Sequence, residues 1–278
     1  MSYDWPVTCP HCAAPLSAHR RHTRVIGLDC PSGHHFTAAK QGYVNLLVGR
    51  GTPFTPDTSE MIMARERVLS TGLFDHLGIR LGEVLQKHHP APRLILDAGA
   101  GTGYHLGTLL ATMPETRGLA LDLSPAGLRR AAKLPRTLAL GWDLWRPLPL
   151  RDSCLDVVLT VFAPRNPHEY ARVLSPGGIA IVVTPRPRHL AELADAGLIT
   201  QQEDKHEHLL TQMAPHLGPP AVHQTVTSTV PIEDDHAADL VLMGPAGHHR
   251  QRTEVLPAVE QQELWSVTTD LDVTVWRR

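Results

Sequence analysis

Arg93-Leu94-Ile95-Leu96-Asp97-Ala98-Gly99-Ala100-Gly101-Thr102-Gly103 runs from a short apolar stretch into three glycines at alternate positions. Leu94 to Leu96 read as a buried strand, and helical spacing follows Gly103, so the segment is strand, tight turn and helix. A dinucleotide fingerprint would need glycine at position 104, where Tyr104 stands. Glycine at 99, 101 and 103 lets the main chain pass close beneath a ligand, where a Cβ would collide with it. Outward from this loop, the next apolar run ends in Asp122, 21 residues past Gly101, and the one after it in Gly141-Trp142-Asp143. Both acids fall at the carboxyl ends of expected strands, the edge where open α/β sheets bind ligands. Asp97, inside the first strand, is read as a support for the loop.

The surrounding pattern alternates. Thr58 or Ser59 caps a helix through Met61, Ala64, Arg65 and Val68 that ends near Gly72, and a second helix over 75–87 is stopped by Pro90. Strand-length runs follow at 94–96, 119–123, 138–140, 155–162 and 179–183, mostly separated by helical stretches. Segments 222–230 and 271–276, rich in Val and Thr, complete a seven-stranded α/β sheet. Before this body (59–278) come a turn-rich segment, 1–48, with three of the four cysteines, and a Gly/Pro/Thr linker, 49–58.

With 42% hydrophobic and 19% charged residues in 278, the chain has a core to bury. Its longest apolar run falls short of a membrane span, and its first residues lack the basic and apolar regions of a signal peptide, which points to the cytoplasm. The net charge of -2 would argue against nucleic acid. The distribution reverses that: residues 1–52 carry Arg20, Arg21, Arg24, Lys40 and Arg50 against Asp4 and Asp29, a surplus of +3. A basic appendage on an acidic body suits a module that meets phosphate.

Cys9-x-x-Cys12 and Cys30-x-x-x-His34 are separated by 17 residues. Three thiolates and an imidazole form a closed tetrahedral set for structural zinc, with His35 as the rival nitrogen donor. A redox Cys-x-x-Cys would open a helix after a strand, and here Ala-Ala-Pro follows with no strand before. Cys154 reads as a small apolar residue of a buried strand.

The spacing Asp97-x-Gly99-x-Gly101-x-Gly103 is the form seen in class I S-adenosylmethionine-dependent methyltransferases. To this the chain adds the knuckles, Ala39-Lys40-Gln41-Gly42-Tyr43-Val44-Asn45-Leu46-Leu47, Met63-Ala64-Arg65 and Gly72-Leu73-Phe74. Phe162-Ala163-Pro164 and the segments 172–178 and 187–193 follow in the same order. Together these resemble the large-subunit ribosomal RNA guanine-N1 methyltransferases, closely over 9–195 and loosely beyond. Ala163-Pro164-Arg165-Asn166-Pro167 is similar to the branch that protects macrolide producers.

The resemblance implies a Rossmann-like methyltransferase body with an N-terminal zinc ribbon, its zinc on Cys9, Cys12, Cys30 and His34. It implies S-adenosylmethionine held by Phe74, the Gly101-Thr102 turn and His189, while the strand-end positions put Asp122 on the ribose hydroxyls and Asp143 near the adenine. Gly99, Gly103 and Asp97 belong to the same site. Thr102 departs from members that carry Glu there. The implied product is N1-methylguanine in a domain II hairpin of 23S rRNA lining the peptide tunnel. The RNA would lie in a cleft between ribbon and body, and the enzyme would be a homodimer.

Methyl transfer from a sulfonium is an in-line displacement, so the protein positions reactants and excludes water. Arg165 or Asn166, after the fourth strand of the body, could polarise guanine O6. No residue there is an obvious general base. The segment 243–250 reads as a loop able to reach the target. Two rival readings are a small-molecule methyltransferase with a structural ribbon and a non-catalytic RNA-binding protein. The basic ribbon opposes the first, and the intact glycine loop with Asp122 opposes the second.

Overall fold

The computed structural model describes residues 4–22, 24–49, 51–201 and 205–278, so Arg50 and the chain's first three residues lie outside the description. The ribbon comprises β1 (Ser17–Arg21), β2 (Arg24–Asp29) and β3 (His35–Thr37), an antiparallel meander. Next comes β4 (Val44–Asn45), which pairs in parallel with the third strand of the body. The body therefore holds eight strands in one sheet, where the sequence pattern gives seven. Two residues are too few to announce a strand by alternation, and their pairing is settled only by the neighbour they meet.

The body continues with α1 (Ser59–Ser70), α2 (Asp75–His88), β5 (Leu94–Ala98), α3 (Tyr104–Thr112), β6 (Arg117–Asp122), α4 (Pro125–Ala131) and β7 (Thr137–Gly141). Then come β8 (Leu155–Val161), α5 (Pro167–Val173), β9 (Leu174–Pro185), α6 (Ala191–Asp195), α7 (His206–Leu217), β10 (Val222–Pro231), α8 (Asp234–Leu242), α9 (Arg252–Glu260) and β11 (Ser266–Arg277). Local chemistry explains the starts. The Thr58 hydroxyl caps α1 by accepting the Met61 N–H, and Ser124 caps α4 ahead of Pro125 at its first turn. In α2, Leu77, Leu81, Val84 and Leu85 form one buried stripe. Every residue of β5 and β8 is buried, as expected of parallel strands covered on both faces.

The strand order is β10-β11-β9-β8-β5-β6-β7-β4. The pairings from β4 to β9 are parallel, and β11 runs antiparallel to both of its neighbours. The chain winds outward from β5 through β6 and β7, then returns to β8 on the other side. The carboxyl ends of β5 and β8 therefore flank a topological switch point, where such sheets open a crevice.

No helix connects β7 to β8. The ribbon covers that part of the sheet instead. Val7 bridges Leu150, the Thr8 N–H donates to the Pro149 carbonyl and the Arg151 N–H to that of Pro6. Trp5, Val7, Leu16, Leu28 and Phe36 share a buried cluster with Leu119 and Leu121 of β6. Cys154 sits one residue ahead of β8, half-buried, its thiol pushed up to about 11 by burial.

Candidate functional site

After β5 the chain turns through Gly99 (φ +85°), Gly101 (φ +52°) and Gly103 (φ +78°), with half-buried Thr102 between the last two. A side chain would be strained at all three, and space is short as well. A Cβ on Gly99 would lie 2.2 Å from Ala163 Cβ, just past β8, and one on Gly101 would lie 2.8 Å from Arg65 Nη1. Across the loop, a Cβ on Gly127 of α4 would come within 2.5 Å of the Gly101 carbonyl oxygen. The result is a backbone cradle at the switch point, tied to β6 by Gly99 and Ala100 N–H groups donating to the Leu121 carbonyl.

The acids bind this cradle together. Asp122 accepts the Gly101 N–H on one oxygen and the Ser124 N–H on the other, each at 2.7 Å. Burial, then the neighbouring Asp122 charge, pushes the Asp97 carboxyl up to about 7. Burial raises Asp122 too. Asp143 is buried and already occupied: Thr52 donates its hydroxyl to one oxygen (2.7 Å) and Trp145 its N–H to the other (3.0 Å).

The segment expected as a linker is thus fastened along the carboxyl ends of β6 and β7. Beyond Thr52, the Asp57 carbonyl accepts the Ser124 hydroxyl, and its carboxylate pairs with Arg65 at 2.7 Å. Arg65 also donates to the Met243 carbonyl. The segment 243–250 is not a free loop: Pro245–His248 form a 3₁₀ turn, and a Cβ on Gly247 would strike Met61 of α1 and the Leu242 carbonyl.

Beside Ala163, which abuts Gly99, three rings converge from three segments of the chain. Phe74, at the start of α2, is buried; its ring lies 6.1 Å edge-on from Phe162 and 6.3 Å from His189. Phe162 stacks on His189 at 5.5 Å. Burial pushes His189 down to about 4, so it is neutral at pH 7. Phe162 follows β8 with φ +53°, a conformation costly for a bulky residue, and keeps 43% of its surface open. The sequence marks Phe162 as an aromatic at a strand end, but nothing in it signals the left-handed backbone that turns the ring outward.

Of the two residues after Pro164, Asn166 is committed to the fold. Its carbonyl caps α5 by accepting the Glu169 N–H, and its amide donates to the Leu144 and Arg146 carbonyls. Arg165 is half-buried and reaches Gln212 of α7 at 3.3 Å.

In the ribbon, Cys9, Cys12, Cys30 and His34 bring their ligand atoms within 4.8 Å of one another. Cys9 Sγ lies 3.5 Å and Cys12 Sγ 3.7 Å from His34 Nδ1, and Cys12 and Cys30 sulfurs are 3.4 Å apart. These match the edges of a tetrahedron with metal–sulfur bonds of about 2.3 Å and metal–nitrogen bonds of about 2.0–2.1 Å. His35 turns its Nδ1 to Asp29, which leaves His34 as the ligand. A second donor set among the described residues, His206, His223 and Asp272, has no thiolate, and Arg186 already lies 3.6 Å from its carboxylate.

A zinc-ribbon family model described as RlmA, N-terminal, matches residues 7–48. The chain is 41% identical over 275 residues to the 23S rRNA (guanine(748)-N(1))-methyltransferase of Streptomyces fradiae, covering 97% of this chain and 95% of that protein. It is also 41% identical over 258 residues to a candidate 23S rRNA (guanine-N(1)-)-methyltransferase of Micromonospora griseorubida, covering 87% and 86%. Among solved structures, the complex between the Haloferax volcanii Trm112 methyltransferase activator and a methyltransferase aligns with a TM-score of 0.51. That match has 19% identity over 81% of this chain and 99% of the other, a likeness of fold.

Proposed function

The chain belongs to the 23S rRNA guanine-N1 methyltransferases, and we propose that it methylates N1 of a guanine in a domain II hairpin of 23S rRNA, beside the peptide tunnel. On this reading it acts in the cytoplasm as a homodimer and protects its host's ribosomes from a macrolide. The observation that carries the proposal is the union, in one chain, of a basic cysteine–histidine ribbon with a glycine cradle that meets Ala163 at the switch point.

S-adenosylmethionine supplies, when bound, a methyl on a cationic sulfur. Gly99, Gly101 and Gly103 would let the main chain pass under its amino-acid end, and Phe74, buried behind Phe162, would back the site with an aromatic ring suited to positive charge. Phe162, open to solvent beside that cradle, is the platform for the extruded guanine. Its ring would fix the base plane. Arg165, in the same loop, would polarise O6 while the methyl passes to N1, the thioether S-adenosylhomocysteine leaves and the N1 proton is released to solvent. Asn166 acts by capping α5 and so holding that loop.

N1 lies on the Watson–Crick edge, so a methyl there blocks pairing. Primer extension on a domain II hairpin transcript treated with enzyme and cofactor should stop one nucleotide before the modified guanine. Full-length extension with methyl label in the RNA would refute N1. Label entering small metabolites but no RNA would favour a small-molecule substrate.

A further inference from the structure

Aromatics make up only 5% of this chain, and two of them stand open beside the cradle with no role in it. Phe54 is 45% exposed and Trp145 is 53% exposed, their ring centroids 6.2 Å apart and tilted by 31°. One buried carboxylate places both. Asp143 accepts the Trp145 N–H and the Thr52 hydroxyl, and that Thr52 oxygen accepts the Phe54 N–H at 3.3 Å. Arg146, beside the same carboxylate, donates to the Val48 and Gly51 carbonyls and ties down the strap that carries Phe54. Main chain anchored at both residues, with about half of each residue's surface left open to water, presents a preorganised apolar pair that a flat partner would cover.

We propose that Phe54 and Trp145 form a stacking platform for an unpaired base of the RNA substrate, separate from the guanine that enters the cradle. This rests on the function proposed above. The strap follows the ribbon, where Arg20, Arg21, Arg24 and Lys40 against Asp4 and Asp29 leave a surplus of +2 to meet phosphate, and leads to the Thr58 cap of α1. Along the chain the platform's strap thus joins the basic ribbon to the body that carries the cradle. The 6.2 Å separation is too narrow to admit a third ring, so the base stacks on an outer face. Stacking accepts any base and asks only that it be unpaired, which suits a loop and not a duplex.

The test uses full-length, zinc-loaded protein and two RNAs of the same sequence, an open-loop hairpin and its closed duplex. Trp145→Ala and Phe54→Ala should each weaken hairpin binding about 5- to 100-fold, the range for one lost base stack. Trp145→Phe should retain most of the affinity. Duplex binding, melting temperature and affinity for S-adenosylmethionine should stay close to wild type. The hairpin should also quench tryptophan emission in the wild type, and less so in Trp145→Phe. Unchanged hairpin affinity in both alanine variants overturns the platform, as does a loss confined to S-adenosylmethionine, which would assign the rings to the adenine. Methyl label entering no RNA, with hairpin binding still sensitive to Trp145, would sink the rRNA reaction and leave the platform standing.

Discussion

Asp122 accepts the Gly101 backbone N–H at 2.7 Å, so the residue expected to hold the ribose also fixes the glycine loop. Asp122→Ala leaves this N–H and that of Ser124 without their acceptor, which costs about 1–3 kcal/mol of stability. Cofactor affinity should fall by about 10- to 100-fold, the loss of a charge-assisted bond. Asp122→Asn keeps one carbonyl oxygen and should lose less stability. Calorimetry with unchanged affinity in both variants would show that the carboxylate serves the loop alone.

Gly99→Ala should destabilise the protein by about 2–4 kcal/mol, because the new methyl would meet Ala163 Cβ at 2.2 Å and the φ of +85° disfavours alanine. Adding Ala163→Gly should recover the packing part and not the backbone part. A double variant that melts no higher than Gly99→Ala would place the clash elsewhere.

The raised Asp97 carboxyl gives stability a pH dependence of defined sign. With a folded value of about 7 against the ordinary 3.8, the native state holds a proton between these values that the unfolded chain has released. Stability from this group is therefore present at low pH and lost as pH rises from about 4 to 7, at up to about 1.4 kcal/mol per unit. Asp97→Asn should gain on wild type across that window in urea midpoints. A constant difference between the two proteins would mean that Asp97 is ionised throughout.

Purified protein should carry one zinc per chain, and Cys12→Ser should release it. The strand-paired body has its own core on the face away from the ribbon, so cofactor affinity should stay within a few-fold while RNA methylation is lost. Metal analysis that finds no zinc, or an iron–sulfur absorption band, would overturn the assignment.

Asp239 of α8 is buried between Arg67 of α1, which donates from Nε and Nη2 at 2.6 and 2.7 Å, and Arg252 of α9. Asp239→Ala should cost about 2–3 kcal/mol, as bonds to charged groups do. The double variant with Arg67→Ala should lose less than the two single losses added together. Strict additivity in chemical denaturation would mean the pair is not coupled.

The sequence alone determined what spacing encodes: the glycine loop, the acids ending successive strands, and the thiolate–imidazole set with His34 and His35 both in play. Periodicity also marked the helices and seven strands of the body, because burial on one or both faces imprints a local pattern of apolar residues. Tertiary structure alone decided the rest. Asp29 takes His35 and so leaves the metal to His34; Arg65 packs against Gly101; Thr52 reaches Asp143 across 91 positions of chain. None of these leaves a periodic trace, since each joins elements brought together only when the sheet closes. Phe162 is the clearest case: the sequence supplies the ring, but its left-handed φ of +53° and its seat on His189 come from the packing of β8 against β9, two strands that no local propensity brings side by side.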